Sequence, residues 1–135
     1  MKKLLILFVL LFCLTSESCK ENTSVTAHGT EKGYLVVKKD KLSFGQINRN
    51  TNKNIKCSFE LTNKGNKPIT IHKIDVSCGC LSAEISSNII LPQEKTMLTI
   101  RVNPRKQLGH FNKSVYVNSD AENPVIILRI KGEII

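Results

Sequence analysis

From residue 34 onward, apolar and polar side chains alternate with a period of two, the pattern of strands that bury one face. The clearest stretch sets Ile55, Cys57, Phe59 and Leu61 against Lys56, Ser58, Glu60 and Thr62. Leu98, Ile100 and Val102 alternate with Thr99, Arg101 and Asn103, and Ile126, Leu128 and Ile130 with Ile127, Arg129 and Lys131. Phe111, Val115 and Val117 mark another buried face. Shorter strands are predicted at 34–37, at 42–44 with Gly45 as the stop, and at 81–85. Between residues 69 and 77 the phase breaks: Ile69 and Ile71 share one face, Ile74 and Val76 the other. One extra residue near His72-Lys73, a β-bulge, reconciles the two halves.

Turn chemistry separates these strands. Asn63-Lys64-Gly65-Asn66-Lys67-Pro68 combines residues that tolerate positive φ with a proline that restarts extended chain. Leu91-Pro92-Gln93-Glu94, Asn103-Pro104 and the stretch from Asp120 to Pro124 mark further reversals. No segment shows helical periodicity. Seven to nine short strands at roughly ten-residue spacing predict an all-β, immunoglobulin-like, two-sheet antiparallel sandwich over residues 34–135.

The first 33 residues break from this pattern. Met1-Lys2-Lys3 is basic, residues 4–14 (LLILFVLLFCL) are wholly apolar, and Thr15-Ser16-Glu17-Ser18 is short and polar before Cys19. This is the layout of a signal peptide, and the apolar run falls short of the ~20 residues a membrane-spanning helix needs. Ser16 and Ser18 are the small residues expected ahead of a lipidated cysteine, although Ser16 stands where a strict lipobox prefers Leu. Residues 1–18 therefore read as a lipoprotein signal, with Cys19 as the lipidated first residue of the mature chain. Ordinary secretion with a free or disulfide-bonded Cys19 is the rival reading. One acyl chain anchors marginally, whereas the two or three of a bacterial lipoprotein anchor firmly. Residues 19–33 are polar and aperiodic and read as a tether, whose flexible span would be about 20 Å. The expected setting is the bacterial cell envelope, on the periplasmic or cell-surface side.

Removing 18 of 135 residues leaves 117, enough for one domain. The chain holds 20 Lys and Arg against 11 Asp and Glu; losing Lys2, Lys3 and Glu17 leaves +8. Such a surface favours anionic partners: lipid headgroups, acidic glycans or acidic proteins. Nucleic acid is not expected, because an export signal is present and the aromatics number only seven, with no basic run interleaved among them.

Phe44-Gly45, Phe59-x-Leu61-x-Asn63-x-Gly65, Pro68-Ile69-x-Ile71 and Ser77-Cys78-Gly79-Cys80 follow in order. Asn103-Pro104, Gly109-His110-Phe111-Asn112-Lys113, Asn118-Ser119 and Leu128-x-Ile130-x-Gly132 complete the series. The set resembles the bacterial domain of unknown function 1573, an immunoglobulin-like group similar to the Hydin-type domains, over about residues 42 to 132. Leu81 stands where that family usually has Thr, and Gln93 where it usually has Gly. The resemblance implies a fold and an envelope setting; it implies no activity.

The candidate chemistry is confined to cysteines. Cys78 and Cys80 admit three readings: structural thiols around a strand-end turn at Gly79, a disulfide between residues i and i+2, or a soft-metal site. Cys57 is in phase with the core and packs as a small apolar residue, but it is also a possible disulfide partner of Cys78 or Cys80, since an exported protein meets an oxidising compartment. His28, His72 and His110 show no ligand spacing and read as exposed polar residues. The chain has no phosphate loop, HExxH, GxSxG or DxDxDG pattern. The expectation is a non-catalytic binding or structural module without a cofactor, anchored through Cys19 and facing a protein or glycan partner. The alternative is a thiol redox or soft-metal-handling protein built on Cys78 and Cys80.

Overall fold

The structure is a computed structural model that describes residues 31–51 and 54–135. The signal segment, Cys19, His28 and most of the tether lie outside the described residues. Nine strands follow in order: β1 (Leu35–Val37), β2 (Lys41–Ile47), β3 (Ile55–Asn63), β4 (Ile69–Val76), β5 (Leu81–Ile85), β6 (Ile89–Ile90), β7 (Lys95–Val102), β8 (Gly109–Ser119) and β9 (Val125–Ile134). They form two sheets, β1-β3-β7-β5 and β2-β9-β8-β4-β6. The chain is an immunoglobulin-like β-sandwich, as the alternation predicts. A single 3₁₀ turn, Pro104–Lys106, follows β7, with the Asn103 side chain accepting a hydrogen bond from the Arg105 N–H.

The alternating residues meet between the sheets. Phe59, Leu61, Leu98, Ile100 and Val102 project from the four-stranded sheet, and Val115, Val117, Leu128 and Ile130 from the five-stranded one; all are buried. Lys56 and Arg129, one residue out of phase, are exposed. The phase break in β4 is a bulge: Ile71 pairs with Ser119 and Lys73 with Asn118, so His72 is the extra residue.

Three features depart from the sequence reading. Gly45 does not stop β2. The strand runs on to Ile47, with Ser43 opposite Lys131 and Gln46 opposite Glu133. One extra residue is absorbed there, at a φ of 67° that glycine adopts without steric cost. Second, β2 lies parallel to β9, whereas the other strand pairs are antiparallel. Third, Ile89–Ile90 forms a short strand on β4 that is too brief to show a period.

Asn63 and Gly65 explain why the turn after β3 has its sequence. The Asn63 side chain is fully buried. Its Nδ2 donates to the carbonyls of Lys67 (2.7 Å) and Ile90 (3.0 Å), and its Oδ1 accepts from the N–H groups of Gly65 (2.9 Å) and Tyr34 (3.3 Å). One amide thus joins the turn to β6 and to the entry of β1. A Cβ on Gly65 would collide with the backbone of Lys32 and Tyr34, so only glycine lets the chain pass. Nearby, Gln93 holds a φ of 64°, the only described non-glycine residue with positive φ. This is the position where the resembling family usually has Gly, and the left-handed backbone is the physical reason.

Candidate functional site

Cys78-Gly79-Cys80 is the crossover between the sheets, carrying the chain from β4 in the five-stranded sheet to β5 in the four-stranded one. Both ends are fastened. The Ser77 N–H donates to the Ser114 carbonyl (3.1 Å), and the Ser114 N–H donates back to Ser77 Oγ (3.0 Å). On the far side the Asn103 N–H donates to the Cys80 carbonyl (2.8 Å). Within the crossover the Leu81 N–H closes a turn onto the Cys78 carbonyl (3.2 Å).

Cys78 and Cys80 are joined in a disulfide. Cys80 is buried and Cys78 half-buried, both against the core. Gly79 is exposed, and a Cβ there would meet nothing within 4 Å, so the turn does not demand glycine on steric grounds. Cys80 also lines a hollow of about 140 Å³ with Gly79, Ser82, Arg101 and Lys106.

Cys57 lies on β3 opposite Ile100 and is a free thiol, half-buried against the core. Desolvation pushes its thiol up to about 11. It stays protonated at neutral pH and is a poor nucleophile. The structure does not bring it into the Cys78–Cys80 bond. His72 sits exposed at the bulge and His110 exposed on β8, with its Nε2 3.4 Å from Glu133 Oε1. Among the described residues, no group of three or more His, Cys, Asp or Glu side chains converges as a metal site.

Both sheets carry ion pairs: Lys73 with Asp75 (2.7 Å) on the five-stranded sheet, and Lys95 with Glu60 (2.9 Å) and Arg101 with Glu84 (2.6 Å) on the four-stranded one, where Lys56, opposite Arg101, is exposed and in no ion pair among the described residues. The hydrogen bond from Lys95 holds the Glu60 carboxyl below its ordinary value. On the five-stranded sheet Lys41 lies beside Arg129 and Ser43 beside Lys131, all exposed. None of these three cations is in an ion pair among the described residues. They line a concavity of about 460 Å³ with Asn112. Beyond Lys131 it adjoins a second hollow of about 510 Å³ lined by Gly45, Gln46, His110, Gly132 and Glu133, with the Phe111 side chain buried in the core. Sequence reading did not single out this face. Its signal was present in the Arg129 and Lys131 alternation, but Lys41 joins them only through the parallel pairing of β2 and β9.

The family model described as "Protein of unknown function (DUF1573)" matches residues 35–134. The chain belongs to this family. No functionally curated protein matches the sequence. Among solved structures the DUF1573 chain is similar to a protein of unknown function from Porphyromonas gingivalis W83, with 20% identity and a TM-score of 0.68. That match covers 78% of this chain and 48% of the other, so the chain spans about half the length of that protein. It is also similar to an ASH/PapD-like domain of human CEP192, with 11% identity, coverage of 77% and 87%, and a TM-score of 0.63. A third likeness is to the Vibrio cholerae VesB protease, with 12% identity, coverage of 76% and 32%, and a TM-score of 0.56. At these identities the likeness is one of fold alone, shared by proteins of unrelated function.

Proposed function

We propose that this DUF1573 chain is a lipid-anchored envelope protein whose single sandwich domain binds a partner and catalyses no reaction. The observation that carries the reading is where the family-like residues go. Asn63, Gly65, Asn103 and Gly132 hold backbone or leave room for a neighbouring group, so each has a part in building the fold. Residues that build a scaffold leave its faces and edges to vary with the partner, as in other sandwich modules. The N-terminal pattern ending at Cys19 supports the anchor and the envelope setting.

Cys19→Ser should move the protein from the membrane pellet to the soluble exported fraction after a high-salt wash. The salt is needed because a basic surface alone can hold a protein on anionic lipid. Retention of the variant in the washed pellet would rule out the anchor. Affinity capture from envelope extract, with cross-linking, tests the binding role: a specific partner retained by the intact domain and lost on unfolding is the expected result.

A second reading is favoured by one observation. The Cys78–Cys80 bond sits at a crossover beside Arg101 and Lys106, cations that would stabilise a thiolate released on reduction. In this reading the pair exchanges thiols or, when reduced, takes a soft metal. Cys78→Ser/Cys80→Ser separates the two. For a binding module, partner capture stays within a few-fold of wild type, and the reduced protein takes up no stoichiometric Cu(I) or Zn. Fast thiol labelling with a reduction potential of roughly −120 to −270 mV, abolished in the double variant, would establish the thiol protein instead.

A further inference from the structure

We infer that the outer face of the five-stranded sheet rests on the bilayer that holds the anchor, an inference that builds on the lipid-anchored reading and adds a second membrane contact. Val125, Ile127 and Tyr116 are large apolar side chains exposed on that face, at 49%, 43% and 38%. They are contiguous. Ile127 stands directly opposite Tyr116, and Val125 is two positions from Ile127 on β9, about 7 Å away on the same face. Their strands, β8 and β9, lie inside the sheet and not at its edge. Among the described residues, the outer face of the four-stranded sheet shows one such side chain, Met97, opposite Glu60.

The way the chain enters the domain picks the occupant. The Glu122 N–H donates to the Gly33 carbonyl (2.8 Å). The Asn123 side chain accepts from the Leu35 N–H (2.9 Å) and donates to the Leu35 carbonyl (2.7 Å). Glu122 and Asn123 belong to the β8–β9 turn, which passes through Pro124 straight into Val125. The start of the sandwich is therefore fastened at the apolar end of this face. A tether between Cys19 and Gly33 would span about 20 Å, so a bilayer holding Cys19 lies within reach of Val125. Tethering makes the second contact intramolecular, and a patch too weak to hold a free domain then suffices. A free partner protein has no such advantage.

The side chains suit that surface. Valine and isoleucine can enter the boundary between headgroups and acyl chains, and tyrosine favours it, with its ring apolar and its hydroxyl wet. Arg129, two positions beyond Ile127, and Lys41 beside it are exposed, and their long side chains can reach lipid phosphates. Of the carboxylates on this face, Asp75, opposite Tyr116, is paired with Lys73 (2.7 Å). Glu133 lies at the far end of β9, with Gln46 and His110.

The test has two arms. In the first, the exported Cys19→Ser chain is sedimented with vesicles of phosphatidylcholine, with or without phosphatidylglycerol. Weak binding that needs phosphatidylglycerol and is lost in high salt is the expected result. Val125→Ser/Ile127→Ser and, separately, Lys41→Gln/Arg129→Gln should each weaken it by about tenfold. Met97→Ser should leave it unchanged. In the second arm the native lipidated protein sits in nanodiscs of the same lipids doped with a paramagnetic lipid. The amide NMR signals of Tyr116, Val125 and Ile127 should broaden, and that of Met97 should not.

Even broadening over the domain, or none, would mean that the domain stands off on its tether; this would overturn the proposal and leave the anchor in place. A lipid-free dimer that protects Tyr116 and Ile127 and is broken by Val125→Ser/Ile127→Ser would assign the patch to a second copy instead. Native protein whose mass shows no lipid at Cys19 would end the anchor reading, and the proposal with it.

Discussion

Asn63→Ala should be among the most damaging single substitutions in the domain, at a cost of about 3–4 kcal/mol in urea denaturation. The side chain is fully buried and every one of its polar atoms is used. Truncation removes the partners of the Lys67 and Ile90 carbonyls and of the Gly65 and Tyr34 N–H groups. Each group left buried and unpaired costs about 1–3 kcal/mol, less where water can enter. Asn63→Asp is a sharper probe, because it keeps the shape and the two accepted bonds. It replaces the donating nitrogen with an oxygen facing two carbonyl oxygens. The introduced carboxyl should therefore have a raised pKa in the folded state. Stability should be greatest below the ordinary carboxylate value of about 3.9 and fall as the pH rises through the raised folded value. Asn66→Ala, exposed in the same turn, should stay within about 0.5 kcal/mol of wild type. If Asn63→Ala costs no more than Asn66→Ala, the buried amide is not the fastener described above.

Phe59→Ala and Leu128→Ala should cost about 3–5 and 2–5 kcal/mol respectively, as large-to-small changes in a packed interior. The two residues stand on different sheets, Phe59 opposite Leu98 and Leu128 opposite Val115. Lys56→Ala and Arg129→Ala, on the outer faces of the same strands, should stay within about 0.5 kcal/mol. Equal losses at inner and outer positions would mean that the strands are turned the other way.

Periodicity carries a fold far when one face of each strand is buried, and β3, β7 and β9 show this. A one-residue slip would turn Phe59 or Leu128 out to water, so their alternation reads directly as sheet face. The β4 bulge was legible for the same reason, since only an extra residue puts Ile71 and Ile74 on one interior. The length of β2 was not. A glycine reads as a stop until a neighbouring strand is known to continue past it, and β9 is more than 80 residues away in the chain. The role of Asn63 was hidden likewise. Locally it is one polar residue in a polar turn, and its partners at Tyr34 and Ile90 are supplied by other elements. Cysteine pairing was equally illegible, because spacing leaves several connectivities open. The exposed cations combine both cases: alternation exposes Arg129 and Lys131, but the pairing of β2 with β9 adds Lys41.

That pairing of β2 with β9 also sets a clock on folding. Residue 41 finds its neighbour only at residue 129, and the central β8 lacks one of its two partners until β9 is present. A partly synthesised chain therefore holds an incomplete five-stranded sheet and cannot close its core. Contacts this distant in sequence form slowly, after the entropy of a long loop has been overcome. β9 then acts as the latch that closes the five-stranded sheet.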